Sequence, residues 1–204
     1  MSVMAEYMMR TPLSEDDVRK LNIGDIVYIT GIVVTMRDTG HKRAVELLSR
    51  GEKLPVDLKD LVLYHAGPIV RKVNDKWEVV VIGPTTSTRM EVYEPEVIEK
   101  TGVRMIIGKG GMGLKTAEAC RRYGTVYTVY PGGAAALQAS QVKRVIDVYW
   151  LDLGVPDAMW ILEVENLGPL TVVIDSKGRN LYDKIYEEAR KRIDYEIYPK
   201  LGIK

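Results

Sequence analysis

The densest chemistry in this chain lies at residues 83–90, which read G-P-T-T-S-T-R-M. An apolar run, Val79-Val80-Val81-Ile82, stops at Gly83-Pro84. Glycine tolerates positive φ and proline donates no N–H, so the pair ends a strand. Hydroxyls follow at Thr85, Thr86, Ser87 and Thr88, then a guanidinium at Arg89. A loop at the carboxyl end of a buried strand is where open α/β folds place their ligand chemistry. A helix N-cap needs only one hydroxyl, although a capped helix start with Arg89 in solvent uses the same residue types.

Two further polar clusters also follow strand-like runs. Arg37-Asp38-Thr39-Gly40-His41 comes after residues 25–35, which are rich in Ile, Val, Tyr and Thr. Its ordinary alternative is an N-cap at Asp38 or Thr39 beside a solvated arginine. Gly108-Lys109-Gly110-Gly111-Met112-Gly113 comes after the apolar residues 103–107. If all three clusters reach one sheet edge, Arg37, Arg89 and Lys109 can bind a small dianion. Arginine matches carboxylate through its bidentate fork, and glycine-rich backbone adds N–H donors. The glycine cluster departs from a phosphate-binding loop, which requires G-x-x-x-x-G-K-[ST]. Leu114 intervenes before Lys115-Thr116 and turns the lysine off the cradle, which argues against a nucleotide triphosphatase. Cys120 sits mid-helix and reads as a small buried hydrophobe. His65, in H-A-G-P, fits a turn histidine as well as a site residue.

Residues 1–12 lack a period and read as an extended lead-in. Ser14 and Asp17 form a capping box for a short helix ending near 22–24. The strand over 25–35 has Gly31 as a bulge or close approach. A helix is expected over 42–50, with Gly51 past its end. A short strand over 61–64 precedes a hairpin of 69–73 and 77–82 turned by Asn74-Asp75. Residues 89–100 read as helical, interrupted by Pro95. A strand over 103–107, a helix to Tyr123 stopped by Gly124, a strand over 125–130 and a helical segment over 134–139 follow. Strands are expected over 142–151, 158–164 and 170–175. A turn at 176–178 leads to a charged amphipathic helix over 182–192. The pattern is an α/β fold, a mixed sheet flanked by helices. One domain spans 1–204, with 1–12 and 193–204 as peripheral tails.

Composition excludes several function classes. Hydrophobic residues make up 46% of 204, enough for a sizeable core. The formal net charge of +1 argues against nucleic-acid or membrane binding by bulk charge. No apolar run approaches the roughly 20 residues of a membrane helix. Residues 1–10 lack a basic stretch followed by an apolar one, so no signal peptide is expected. One cysteine and two histidines are too few for an intrachain disulfide, an iron–sulfur cluster or a His-rich metal site. No metal ligand is therefore assigned in this chain, and a reducing cytoplasm suits it.

The motifs R-D-T-G-H (37–41), Y-H-A-G-P (64–68), G-P-T-T-S-T-R-M (83–90), G-K-G-G-M (108–112) and P-G-G-A-A-A (131–136) occur together in order. With them the chain resembles the β subunit, equivalent to the C-terminal domain, of class I iron–sulfur fumarases and L-tartrate dehydratases. The resemblance covers about residues 13–181. It implies a swivelling β/β/α domain and a partner α subunit whose cysteines hold a [4Fe–4S] cluster. It also implies a hetero-oligomer, two of each subunit being one arrangement, with a small dicarboxylate between the halves. By the resemblance, Thr85 is the base for the C3 proton of malate. Arg89, Arg37 and Lys109 bind the carboxylates, and Thr86 hydrogen-bonds substrate. His41, Gly83, Gly108 and Gly110 support them from behind, and an aspartate of the partner is the general acid. Thr88 stands where relatives often have glycine and Gly40 where they often have alanine, which bears on substrate preference.

The expected function is that of a hydro-lyase subunit interconverting fumarate and L-malate, active only with its partner. The alternatives are an L-tartrate dehydratase subunit giving oxaloacetate, and a non-catalytic assembly module of the same fold.

Overall fold

The structure, a computed structural model, describes residues 4–202. Its first strand, β1 (Glu6–Arg10), alternates exposed and half-buried residues. It pairs in parallel with β2 (Ile26–Thr35). The extended lead-in is therefore an edge strand, whose alternation is masked in the sequence by the exposed Met8. Between them lies α1 (Glu15–Arg19), opened by the expected box: Ser14 Oγ accepts the Asp17 N–H at 3.1 Å, and Asp17 accepts the Ser14 N–H at 3.1 Å. Next come α2 (Asp38–Ser49) and β3 (Val62–Tyr64). The hairpin of β4 (Ile69–Val73) and β5 (Lys76–Val81) turns at Asn74 and Asp75, both at positive φ as a two-residue turn demands.

A 3-10 turn, Ser87–Met90, precedes α3 (Glu94–Thr101), in which Pro95 occupies the first turn rather than breaking the helix. Then follow β6 (Met105–Gly108), α4 (Leu114–Tyr123), β7 (Val126–Val129), α5 (Ala135–Ser140) and β8 (Val142–Tyr149). A single 16-residue strand, β9 (Met159–Ile174), replaces the two short strands expected. Gly168 and Pro169 look like breakers, but they fall where β9 shifts register against β2, between the Ile29↔Leu167 and Val27↔Leu170 pairs. A bulge needs no ladder donor at its extra residue, so the strand runs through. The last helix, α6 (Leu181–Arg192), continues into helical turns at Ile193–Ile197 and Pro199–Leu201.

The main sheet runs β1-β2-β3-β6-β7-β9-β8, and β9 also pairs with β2. Thr171 pairs with Ile26 on one side and Val129 on the other, so the sheet curls until β9 meets both flanks. Strands β2, β3, β6 and β7 are mutually parallel, and their carboxyl ends share one edge. Alternation splits the core in two. Val33, Val62, Tyr64, Ile107 and Trp160 face the layer that holds α1, the hairpin and β8. Val34, Leu63, Ile106 and Tyr127 face α2, α3 and α4. The hairpin docks through Trp77, edge-on against the buried Trp160 at 5.4 Å between ring centroids.

Gly31 anchors the β2 bulge. Its φ is +117°, and an added Cβ would collide with Thr11 Oγ1 and lie 3.3 Å from the Thr11 backbone. That hydroxyl accepts the Ile32 N–H at 2.5 Å. Gly31→Ala is expected to cost roughly 2 kcal/mol or more, from strain and the displaced threonine. That lowers the calorimetric midpoint by at least about 4 °C. A change below about 1 °C would contradict this account of the bulge.

Candidate active site

The parallel strands deliver three segments to one edge: Arg37 just after β2, His65 just after β3 and Lys109 just after β6. The hydroxyl-rich segment arrives differently, from β5 in the smaller sheet, and is stitched across the gap between β3 and β6. Pro84 bridges to Ala66, and Thr85 N–H donates to the His65 carbonyl at 2.7 Å. Thr86 bridges to Lys109, and Ser87 N–H donates to the Lys109 carbonyl at 3.0 Å. Gly108 is required here by close approach: a Cβ would overlap Ser87 Oγ and sit 2.9 Å from the Tyr127 hydroxyl. Gly83 packs beside the start of α5, its Cβ position 3.0 Å from Ala135 Cβ. Gly110 turns the chain at φ +76° and accepts the Tyr127 hydroxyl at 2.9 Å.

The cations sit at the rim of this stitched edge. Arg89 donates from Nη2 to Thr85 Oγ1, and its Nε meets Asp38 Oδ1 at 2.9 Å. Arg37 lies alongside Gly67, and its buried Nε has no hydrogen-bond acceptor. The nearest carboxylate to that atom, on Asp157, is 3.8 Å away. Lys109 is exposed and passes Gly132, with no ion-pair partner among the described residues. Thr85 is half-buried and Thr86 exposed. Arg37, Arg89 and Lys109 thus share the rim with a hydroxyl that one of them contacts, and Asp38 and Asp157 balance part of that charge at 2.9 and 3.8 Å. The helix over 42–50 begins earlier than expected, at Asp38, with Arg37 at the N-cap and no side-chain cap. His41 therefore lies inside α2 with its ring pointing beneath the site.

Beneath the rim is a group the sequence did not signal. Glu94, at the start of α3, is fully buried, as are His41 and His65. Its Oε2 meets His41 Nε2 at 3.0 Å and His65 Nε2 at 2.8 Å. His41 Nδ1 faces the Arg37 carbonyl at 2.9 Å, and His65 Nδ1 faces Ser87 Oγ at 2.9 Å. Ser87 Oγ also accepts the Lys109 N–H at 3.2 Å. Burial pushes the Glu94 carboxyl upward, but His65 and His41 outweigh it by charge and hydrogen bonding and hold it at about 2. Burial lowers His65 against the opposing pull of Glu94. In sequence Glu94 looks like an ordinary acid in a first helical turn, and Ser87 like one hydroxyl of four.

The glycine loop holds no vacant phosphate cradle. Glu91 fills the N-terminus of α4, accepting from Gly113 N–H at 2.7 Å, Thr116 N–H at 3.2 Å and the Thr116 hydroxyl at 2.7 Å. A carboxylate there satisfies the free amides and the positive helix end. Among the described residues, His41, His65 and Glu94 are also the one His/Cys/Asp/Glu group close enough to ligate a metal. Both Nε2 atoms, however, point at one carboxylate oxygen at hydrogen-bond distance. Cys120 is buried in α4, and burial raises its thiol well above the usual range.

A model of the family described as fumarase C-terminus matches residues 3–185. Over 193 residues the chain is 44% identical to the L(+)-tartrate dehydratase subunit beta of Escherichia coli (strain K12), covering 93% of this chain and 94% of that one. Over 192 residues it is 49% identical to a putative L(+)-tartrate dehydratase subunit beta of Methanocaldococcus jannaschii, covering 94% and 96%. Over 186 residues it is 39% identical to a putative fumarate hydratase class I of Geobacillus stearothermophilus, covering 91% of this chain and 35% of that one. No helix among the described residues is long and apolar enough to cross a membrane.

Two members of the buried trio, His65 and Glu94, bind protons less readily in the fold than in the unfolded chain. His65 is depressed in the fold, so the unfolded chain takes its proton first and stability falls as pH drops through 6.5. Glu94 is held at about 2 against an ordinary 4.5, so its contribution is complete above 4.5 and lost between 4.5 and 2. That second loss is on the order of 3 kcal/mol. Urea unfolding is expected to require steadily less denaturant from about pH 5 down to about pH 3. A flat profile over that range rules out a buried ionised Glu94.

Proposed function

The chain belongs to the fumarase C-terminus family, and from that premise we propose that it supplies the substrate-binding cations and the proton-transfer hydroxyl of a two-subunit hydro-lyase interconverting fumarate and L-malate. The observation that carries this reading is the Arg89–Thr85 contact at an open edge flanked by Arg37 and Lys109. A four-carbon dicarboxylate presents two anionic ends. Arg89 and Lys109 take one end in this reading and Arg37 the other, with Thr86 donating to substrate oxygen.

Removing the C3 proton spreads further negative charge into the adjacent carboxylate. Cations already in place stabilise that charge more than they stabilise the ground state. Thr85 accepts the proton. Its oxygen already receives a hydrogen bond from Arg89, which favours the deprotonated form. His41 sits behind Arg37, and Gly83, Gly108 and Gly110 give the loops their close approach. The [4Fe–4S] cluster of this enzyme class supplies Lewis-acid activation of the departing hydroxyl. This chain's buried Cys120 does not fit as its ligand, so the reading assigns the cluster, and the general acid, to a partner subunit.

Two features support a partner. Relatives carry the designation subunit beta. The end of the chain is an exposed helix bearing Ile185, Tyr186, Ile193, Ile197, Tyr198 and Leu201 in solvent. It abuts the site rim, where Thr88, Gly110, Gly111 and Tyr182 line one groove. A second reading of substrate, L(+)-tartrate, is favoured by the names of the relatives in Escherichia coli and Methanocaldococcus jannaschii. A non-catalytic assembly module would have no use for these cations around a threonine.

The test is anaerobic turnover by this chain alone and co-expressed with a cluster-bearing subunit. Fumarate hydration is expected in the pair only. Arg89→Ala and Thr85→Val are each expected to lower kcat/KM by about 100-fold or more. Tartrate turnover without fumarate turnover selects the second reading. Full activity in Arg89→Ala returns the assembly module, and a cluster-loaded pair inert to both substrates rejects the hydro-lyase.

A further inference from the structure

We propose that Glu94 is a positioning residue that sets the substrate-facing loops from beneath, by holding a doubly protonated His41 and a singly protonated His65 on one carboxylate oxygen. The catalytic consequence rests on the function proposed above; the protonation pattern does not.

The pattern follows from which atoms can donate. His41 Nδ1 faces the Arg37 carbonyl, which only accepts, so Nδ1 carries a proton. Its Nε2 faces the Glu94 carboxylate and carries one as well. His65 Nε2 donates to the same Glu94 oxygen. Full burial admits one cation to match the one carboxylate, so His65 keeps its single proton on Nε2, and its bare Nδ1 accepts the Ser87 hydroxyl, whose oxygen accepts the Lys109 N–H. His41 is then a cation, His65 is neutral and Glu94 is an anion. The trio has no net charge, which is what full burial requires.

Each imidazole passes this constraint to one side of the site. Through His41 it reaches the Arg37 backbone at the start of α2. Through His65 and Ser87 it reaches Lys109, while Ser87 itself lies between Thr85 and Arg89. The other Glu94 oxygen is buried and has no partner, so both rings depend on Oε2 alone. Glu94 touches no substrate, yet the groups assigned to both ends of a dicarboxylate are tied to it. A bound metal would instead take the ring lone pairs and leave both Nε2 atoms without protons.

The chain has two histidines, so the ring nitrogens of the full chain labelled with 15N-histidine are resolvable without ambiguity. At neutral pH the expected pattern is one histidine protonated on both nitrogens and one on Nε2 only. Two neutral histidines, or stoichiometric zinc in the purified chain, overturn the proposal. In Glu94→Gln the doubly protonated signature is expected to vanish, and the backbone amides of Thr85, Ser87, Arg89 and Lys109 are expected to shift. Ser87→Ala, a milder change, should move the same amides and keep the His41 signature. Unmoved amides in a folded variant also overturn it.

In the assembled enzyme, Glu94→Gln is expected to lower kcat/KM by about 100-fold, the usual effect of misplacing a positioned group by an ångström. Ser87→Ala should lower it by about 10-fold, with KM for the dicarboxylate raised. Glu118→Gln, on the exposed face of α4, should leave both constants unchanged. Loss of less than about twofold in Ser87→Ala contradicts the positioning role. If the assembled enzyme turns over no substrate at all, the proposed function fails, and the histidine signatures and amide shifts still decide this proposal.

Discussion

A carboxylate sealed between two imidazoles is the constraint on which this edge of the molecule depends. Glu94, His41 and His65 come from α3, α2 and the end of β3, and each is fully buried. An unpaired charge in such a place is costly, and removing one member of a buried pair typically costs about 3–5 kcal/mol. The three segments therefore stay together or the edge opens. The rings are also spaced to be useful. At 5.0 Å between centroids and nearly perpendicular, they send their outer nitrogens in different directions, one to a backbone carbonyl and one to a serine. A single oxygen atom thus organises two loops from beneath, and the Arg89–Asp38 ion pair joins them at the rim.

The same edge is stabilised from a second side by Glu91. Its carboxylate closes the N-terminus of α4 and so fixes where the glycine loop ends. Glu91 and Glu94 stand on either side of the short turn between the 3-10 segment and α3, and they do opposite things with similar chemistry. One satisfies helix amides; the other pairs with imidazoles. The rim cations, with Arg89 beside Asp38 and Arg37 beside Asp157, lie above both. The hydroxyl loop is the only segment contributed by the small sheet, and its hydrogen bonds to β3 and β6 set Thr85 and Arg89 relative to Lys109.

Much of this was legible in the chain as written. The capping box at Ser14, the hairpin at Asn74-Asp75 and the glycine stops follow from local rules, while the meeting of the polar loops at one edge was a condition that only the sheet order decides. What those rules missed was tertiary. Residues 1–12 carry apolar residues without a two-residue alternation, Tyr7-Met8-Met9 running together, and β1 forms because β2 offers it a free edge. Gly168-Pro169 reads as a break because bulges are defined by the partner strand, not by sequence. Arg37 was recognised as a cation but not as the N-cap of a helix without a capping side chain. Glu94 was invisible for a plain reason. A glutamate beside a proline at a helix start is nearly always solvated, and only the meeting of α2 with the end of β3 turns it inward. His65, ambiguous in sequence, was resolved by the same meeting.

The exposure of the cations carries one more consequence. Arg89 is 48% exposed, so its field at Thr85 is largely screened in the isolated chain. A cation about 4 Å from a developing alkoxide contributes roughly 1 kcal/mol in water, but roughly 4 kcal/mol at the effective dielectric of a partly closed site. For Arg89, the cation in contact with Thr85, that is under about one pKa unit in the open against about three when enclosed. The geometry of this chain can aim the charges, but only a second surface that excludes water can give them that strength. The open rim, with the amphipathic helix α6 and its exposed Ile185 and Tyr186 beside it, is the shape such an arrangement requires.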